Sequence, residues 1–244
     1  MNWKELEDFE GFPKILRKFQ VEAIGYFVLL FGLYKKIVPV VDTLTKKNNA
    51  TSIIDLCSGS GLPSIYIASK LPNKLPILLT DKYPQHIPPH TTVTYTSTSV
   101  DCTTLQLQPN IVYTMYNAFH HFTKVQQAAL LQHFAKHNAT LLIVEIVTPT
   151  IWSVLQVILA STVVQLVVTP FIKPFNWLRL LFTYIIPINI ITVLYDGVVS
   201  VLKAKSKAQY QHIVAPLHSN NYSITVRSVF QFPTQLVTII ATPI

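Results

Sequence analysis

The chain has 244 residues, half of them apolar and 12% charged, with 19 Lys and Arg against 11 Asp and Glu for a formal charge of +8. That length supports one large domain with its own core and excludes the disordered and collagen-like classes. Two cysteines, Cys57 and Cys102, exclude a disulfide scaffold; Lys4, Glu5, Glu7, Asp8, Glu10 and Lys14 precede any apolar run, so no secretory signal is read and a cytoplasmic, reducing setting is expected.

Residues 1–48 read as an N-terminal helical cap. Its uncharged run from Ala23 to Tyr34 is too short to cross a bilayer. Residues 49–145 read as an alternating strand and helix core. Thr51 to Cys57 is a β-branched first strand, passing through Ser58, Gly59, Ser60 and Gly61 into the helical stretch SIYIASKL, which Pro72 and Asn73 close. Pro76 to Thr80 is a second strand delivering Asp81, and Thr92 to Tyr95 a third after a proline-rich turn around Pro84, Pro88 and Pro89. Ile111 to Tyr116 is a fourth strand, Ala128 to Phe134 a helix and Thr140 to Glu145 a fifth strand. Residues 146–210 form an apolar helical insert, and 211–244 the closing antiparallel strands, Tyr222 to Phe230 and Gln235 to Ala241. Strands apolar on both faces and separated by helices predict an α/β fold: an open, Rossmann-like, mostly parallel seven-stranded sheet with an antiparallel edge.

The densest chemistry lies at the turn out of the first strand, Asp55-Leu56-Cys57-Ser58-Gly59-Ser60-Gly61. Glycines there let backbone approach a ligand closely. Gly61 is followed by Leu62-Pro63, which excludes a Gly-Lys-Ser/Thr phosphate loop, and Ser64 stands where a dinucleotide fingerprint needs its third glycine. A nucleoside without a pyrophosphate fits better. Asp81, with Lys82 beside it, is placed to accept ribose hydroxyls, and Asp101 to meet an adenine amino group with Cys102 against the ring; the plainer reading of Asp101 is a cap for Thr103 and Thr104.

With these residues in place, the chain resembles the class I methyltransferase family that uses S-adenosylmethionine. The loop Asp55 to Gly61, the strand end LLTDKYP, the Asp101 turn, the strand leading into YNAFHHF, TLLIVE and the closing strand pair carry the likeness, roughly residues 50–145 and 222–242. It implies that Asp55, Cys57, Ser58, Gly59 and Gly61 hold the amino-acid part of the cofactor, Asp81 and Lys82 its ribose side, and Asp101 and Cys102 the adenine. Asn117 would line the transfer site. The sequence departs from the family at Cys57, where the first loop glycine is usual.

Methyl transfer asks mainly for proximity and orientation, and for a base only when the acceptor must lose a proton. His120, Asn117 and Glu145 are the catalytic candidates on that ground. His120 and His121 are adjacent and so expected to point apart, and neither H-E-x-x-H nor C-x-x-C spacing occurs, so no metal site is expected. Only Arg17, Arg179 and Arg227 among the basic residues are Arg and the lysines are scattered, so no nucleic-acid partner is expected.

From Ile146 to Leu202 only Lys173, Arg179 and Asp196 carry charge, and Trp152 to Ile172 gives 21 uncharged residues, enough to cross a bilayer. Because the closing strands must rejoin the first five, a single crossing is excluded. The open alternatives are a surface-seated membrane cap, a helical hairpin through the bilayer and a soluble lid, with a homodimer contact as a further use of its outer face. The expected activity is methyl transfer from S-adenosylmethionine to a small or lipid-like acceptor. The alternatives are a non-catalytic membrane-associated binding protein on the same fold and, less well matched, an NAD-dependent reductase.

Overall fold

The structure is a computed structural model that describes residues 4–85, 87, 90–217 and 219–244. Of the turn expected around Pro84, Pro88 and Pro89, the last two lie outside the described residues. Five parallel strands form the body of one sheet: β1 (Ser52–Leu56), β2 (Ile77–Thr80), β3 (Val93–Tyr95), β4 (Ile111–Tyr116) and β5 (Thr140–Glu145). The chain closes with β6 (Tyr222–Gln231) and β7 (Thr234–Pro243), and the sheet order is β3-β2-β1-β4-β5-β7-β6 with β7 antiparallel to both neighbours. This is the predicted seven-stranded architecture with its antiparallel edge.

Period-two alternation explains why the strands are apolar on both faces. Tyr113, Met115, Leu141 and Ile143 face α4 (Lys124–Lys136) and α9 (Lys207–Val214), where Leu131, Phe134 and Tyr210 are fully buried. Val112, Leu142 and Val144 face the opposite layer, with Val41 of α2 (Val38–Lys47) and Ile67 of α3 (Leu62–Lys70). Helix α4 starts four residues earlier than the apolar pattern alone suggests, because Thr123 and Gln126 form a reciprocal capping box. Helix α9, which the sequence reading divides at residue 210, packs wholly on the core against α4 and β6.

The chain leaves β1 toward β2 and later returns to the other side of β1 as β4, so the loops after these two strands part company. That switch of direction opens a crevice at the carboxyl ends of the strands. Backbone geometry is tightest at Gly61, which caps α3 with φ +69°, and a methyl group there would run into Leu79 Cδ1. Gly61→Ala is therefore expected to lower unfolding stability by about 2–4 kcal/mol, left-handed strain plus overpacking. Gly32→Ala, with φ +55° but nothing within 4 Å, should cost only about 1 kcal/mol. Urea titration of the two variants checks this, and equal losses would remove the steric part of the argument.

The insert folds back over the crevice. Helix α5 (Ile151–Leu159) continues through a π turn, Ala160–Val164, into α6 (Gln165–Val168). Helix α7 (Trp177–Leu180) runs through a second π turn and, after a bend of 78°, into α8 (Ile188–Lys203). Helix α8 packs on α5, on α1 (Lys14–Leu30) and on the N-terminal turn Leu6–Asp8. The polarity of these helices is inverted. Ser153, Ser161, Gln165 and Thr169 of the first arm and Asn189, Thr192, Asp196 and Ser200 of the second are buried, while Leu155, Leu159, Val163, Val167, Ile185 and Ile191 are exposed.

Candidate functional site

A cavity of about 1540 Å³ fills the crevice between the strand ends and the insert. The loop after β1 forms one wall. Cys57, Gly59 and Gly61 all take positive φ (54°, 51° and 69°), so the departure from glycine at Cys57 leaves the turn intact at the expense of local strain. Its thiol lies 3.7 Å from that of Cys102, and this contact together with burial pushes the Cys57 pKa up, so the Cys57 sulfur stays protonated beside Cys102 on the cavity wall. Ser58 Oγ donates to the Asp55 carbonyl and accepts from Thr80 N–H, stitching the loop to β2.

Asp81, at the end of β2, lines the cavity beside Lys82. One of its oxygens accepts Gly59 N–H at 2.9 Å and the other Tyr83 N–H at 2.8 Å, while Tyr95 OH donates to the Gly59 carbonyl. A carboxylate has roughly four lone-pair sites, so two remain for ligand hydroxyls. Asp101 also reaches the cavity, but its Oδ1 accepts Thr103 N–H and Thr103 Oγ1–H; the capping role is realised in the same residue. Asn117, just past β4, takes φ 51°, presents itself to the cavity and accepts Ile146 N–H through its side-chain oxygen.

Asp55 is placed elsewhere. Its carboxylate is buried within the sheet, accepts Thr114 Oγ1–H at 2.8 Å and does not line the cavity. Burial lifts its pKa to about 7, partly offset by hydrogen bonds from Thr114, Ser58 and Ser64. Its carbonyl accepts from Ser58 and Thr80, so the residue shapes the loop from beneath.

His120 is buried, with Nδ1 at 2.5 Å from Glu145 Oε2; Glu145 Oε1 accepts Phe119 N–H. The expectation that His120 and His121 point apart is corrected: their ring centroids are 4.5 Å apart, 36° from parallel. The reason is that each Nδ1 is anchored by a carboxylate from a different element, Glu145 as the last residue of β5 and Asp8 on the N-terminal turn. Sequence reasoning missed the N-terminal contribution altogether. Glu5 is buried against Lys203 and His121, and Arg17 stacks over Tyr83 at 4.2 Å while binding the Glu7 and Phe9 carbonyls. The only available signal was the density of charge ahead of residue 15.

Burial alone would lower the His121 pKa, but Glu5, Asp8 and Glu7 outweigh it and hold it up at about 9 against an ordinary 6.5. Between those values the folded chain keeps a proton the unfolded chain has lost, so this stabilisation is complete below pH 6.5 and disappears as pH rises through 9. Burial also raises Glu7 to about 8 from 4.5, despite His121, which slopes stability the same way. Asp8 acts oppositely: His121 and Lys203 overcome its burial and hold it at about 2, so its contribution is lost only in strong acid. The urea midpoint should therefore fall between pH 6.5 and 9, and His121→Gln should flatten that slope. A midpoint constant across the range would rule the arrangement out.

No family model and no curated protein matches the chain. Among solved structures it is similar to human N-acetylserotonin methyltransferase in complex with SAM, at 13% identity and TM-score 0.49 over 87% of this chain and 53% of that one. It is also similar to the plantazolicin methyltransferase BpumL in complex with SAH, at 10% identity and TM-score 0.47 over 94% and 96%. A third is magnesium protoporphyrin IX methyltransferase from Synechocystis PCC 6803 with bound SAM, at 12% identity and TM-score 0.42 over 85% and 79%. The chain spans about half the length of the first of these. Likenesses of this degree carry no residue-by-residue correspondence, so the roles of Asp81, Asn117 and their neighbours rest on the geometry of the cavity.

Proposed function

We propose that the protein is an S-adenosylmethionine-dependent methyltransferase whose acceptor is a small or lipid-like molecule. The observation that carries this reading is the meeting of Cys57, Ser58, Gly59 and Ser60 of the loop with Asp81, Asp101 and Asn117 on one cavity at the switch point of the sheet, Gly61 shaping the turn from outside the lining. The loop's positive-φ turn brings bare backbone to the cavity at Gly59, and Asp81 offers lone pairs to vicinal hydroxyls. Lys82 and Cys102 flank the ribose and base positions, with Ser58 holding the loop. Bound there, S-adenosylmethionine would supply an electrophilic methyl group. Asn117 and His120, its ring oriented by Glu145, stand at the acceptor end, where orientation and exclusion of water do most of the catalytic work.

The same proposal seats the insert on a membrane. Its support is the inverted polarity: a helical run Ile151–Phe171 long and apolar enough to cross a bilayer presents apolar side chains outward and hydroxyls and amides inward. Trp152 and Trp177 are 59% and 75% exposed on that face, which suits an interfacial seat. Both arms end on the core, so the excursion leaves and returns on one side. An apolar acceptor would enter the cavity from that face.

Calorimetry with S-adenosylmethionine should show binding by the folded protein, and incubation with a methyl-labelled cofactor and a lipid extract should label an apolar product. Binding without any labelled product would favour the non-catalytic reading. The protein should float with phosphatidylcholine vesicles, and Trp177→Asp with Ile185→Asp should cut the bound fraction about tenfold or more. Failure of the unaltered protein to float, with a dimer in solution, would move the apolar face to a second copy of the chain.

A further inference from the structure

The acceptor end of the cavity carries an arrangement that the proposed placing of His120 by Glu145 uses only in part. Glu145 engages Nδ1 of His120 at 2.5 Å, and Asp8 engages Nδ1 of His121 at 3.1 and 3.2 Å. With both Nδ1 atoms held by carboxylates, both Nε2 atoms turn to Glu5. His120 Nε2 lies 3.9 Å from Glu5 Oε1, and His121 Nε2 lies 3.3 Å from Glu5 Oε2. His120 is 1% exposed, lines the cavity, and its Nε2 has no hydrogen-bond partner among the described residues.

We propose that Nε2 of His120, Nε2 of His121 and the Glu5 carboxylate form a site for a divalent transition-metal cation. One donor atom from each lies within 4.8 Å of the others. Donors about 2.0–2.2 Å from a shared ion stand roughly 3–4 Å apart, so small side-chain adjustments complete the set. Carboxylate-oriented imidazoles are the usual support for ligating histidines, because the carboxylate fixes the tautomer and aims the ring. Here that support occurs twice, from two elements far apart in sequence. Mixed imidazole and carboxylate donors suit Zn²⁺, Mn²⁺ or Fe²⁺. Glu7 Oε1, 3.6 Å from His121 Nε2, is within reach as a further donor. Lys203 is the competing cation, 2.9 Å from Glu5 Oε1 and 3.4 Å from Asp8 Oδ2. An ion in this position, open on the cavity side, would lower the pKa of an acceptor hydroxyl bound beside it. In that arrangement His120 acts on the acceptor through the ion. The site is independent of the cofactor reading, because ion binding is measured without S-adenosylmethionine.

The full chain, freed of metal by chelation, is titrated with Zn²⁺ by calorimetry and with Co²⁺ by visible absorption. A single ion with nitrogen and oxygen ligand-field bands is expected. Glu5→Gln and His121→Ala should weaken it, and Asp8→Asn, which removes the orienting carboxylate together with its ion pair to Lys203, should weaken it about tenfold. Lys203→Met should tighten it by removing the competitor. The neighbouring pair His133 and His137, rings 4.6 Å apart, is the control, and replacing both by Ala should leave binding unchanged. Circular dichroism reports folding; should His121→Ala fail to fold, the opposite responses of Asp8→Asn and Lys203→Met decide. No stoichiometric uptake by the folded protein, or uptake abolished only by the His133 and His137 changes, overturns the proposal.

Discussion

Replacing Asp81 by Ala should weaken S-adenosylmethionine binding about 100-fold while the chain stays folded. Two contributions add. The carboxylate accepts Gly59 N–H and Tyr83 N–H, so its loss frees the loop after β1 from the end of β2. It is also the group positioned to take the ribose hydroxyls, and hydrogen bonds to a charged partner are worth about 1.5–3 kcal/mol each, tenfold or more in affinity. Asp81→Asn keeps one oxygen acceptor and should fall between wild type and Ala. Asp101→Asn should matter less, since one oxygen of that exposed carboxylate is already engaged by Thr103. Calorimetric affinities for the three variants give the ordering. An Asp81→Ala protein that binds like wild type would remove the cofactor assignment.

Asp196→Ala should be the most destabilising single change in the insert. Asp196 is 2% exposed on α8, and its carboxylate accepts Leu6 N–H at 2.6 Å, Glu7 N–H at 3.1 Å and the Gln20 side-chain amide. Truncation leaves the buried Gln20 amide and two half-buried backbone N–H groups without that partner, a loss of about 3–5 kcal/mol. For a chain of this size that lowers Tm by about 10 °C. The released segment is the one that carries Glu5, Glu7 and Asp8 to the histidines, so trypsin should now cut at Lys4 and Lys14. Asp196→Asn, retaining one acceptor, should be milder. Unchanged melting and an unchanged digest would show that the N-terminal turn is held by other means.

The sheet was legible because its signals are local. The near-continuous apolar runs IVYTMY and TLLIVE identify strands buried on both faces, and the Gly59 and Gly61 turn marks where β1 gives way to α3. Asp81 followed from its place one strand later. Asp55 was harder: alternation says only that successive side chains face opposite ways, and Thr114, 59 positions away, decides that its carboxylate stays inside the sheet. The pairing of His121 with Asp8 spans 113 positions and depends on how the N-terminal turn docks against α8, which no local pattern encodes. The insert's polarity was present in the sequence as hydroxyls and amides about four apart, Ser161, Gln165 and Thr169, but which stripe faces inward is set by packing.

Strand order bears on how this protein is made. β7, made after β5 and β6, lies between them in the sheet, and Ile239 and Ala241 on it are fully buried. Until residues 234–243 leave the ribosome, the edge of β5 has no neighbour and β6 has nothing to pair with. Assembly is thus completed only after translation reaches that point, and a chain stopped short of it would expose an open sheet edge to chaperones and to other nascent chains.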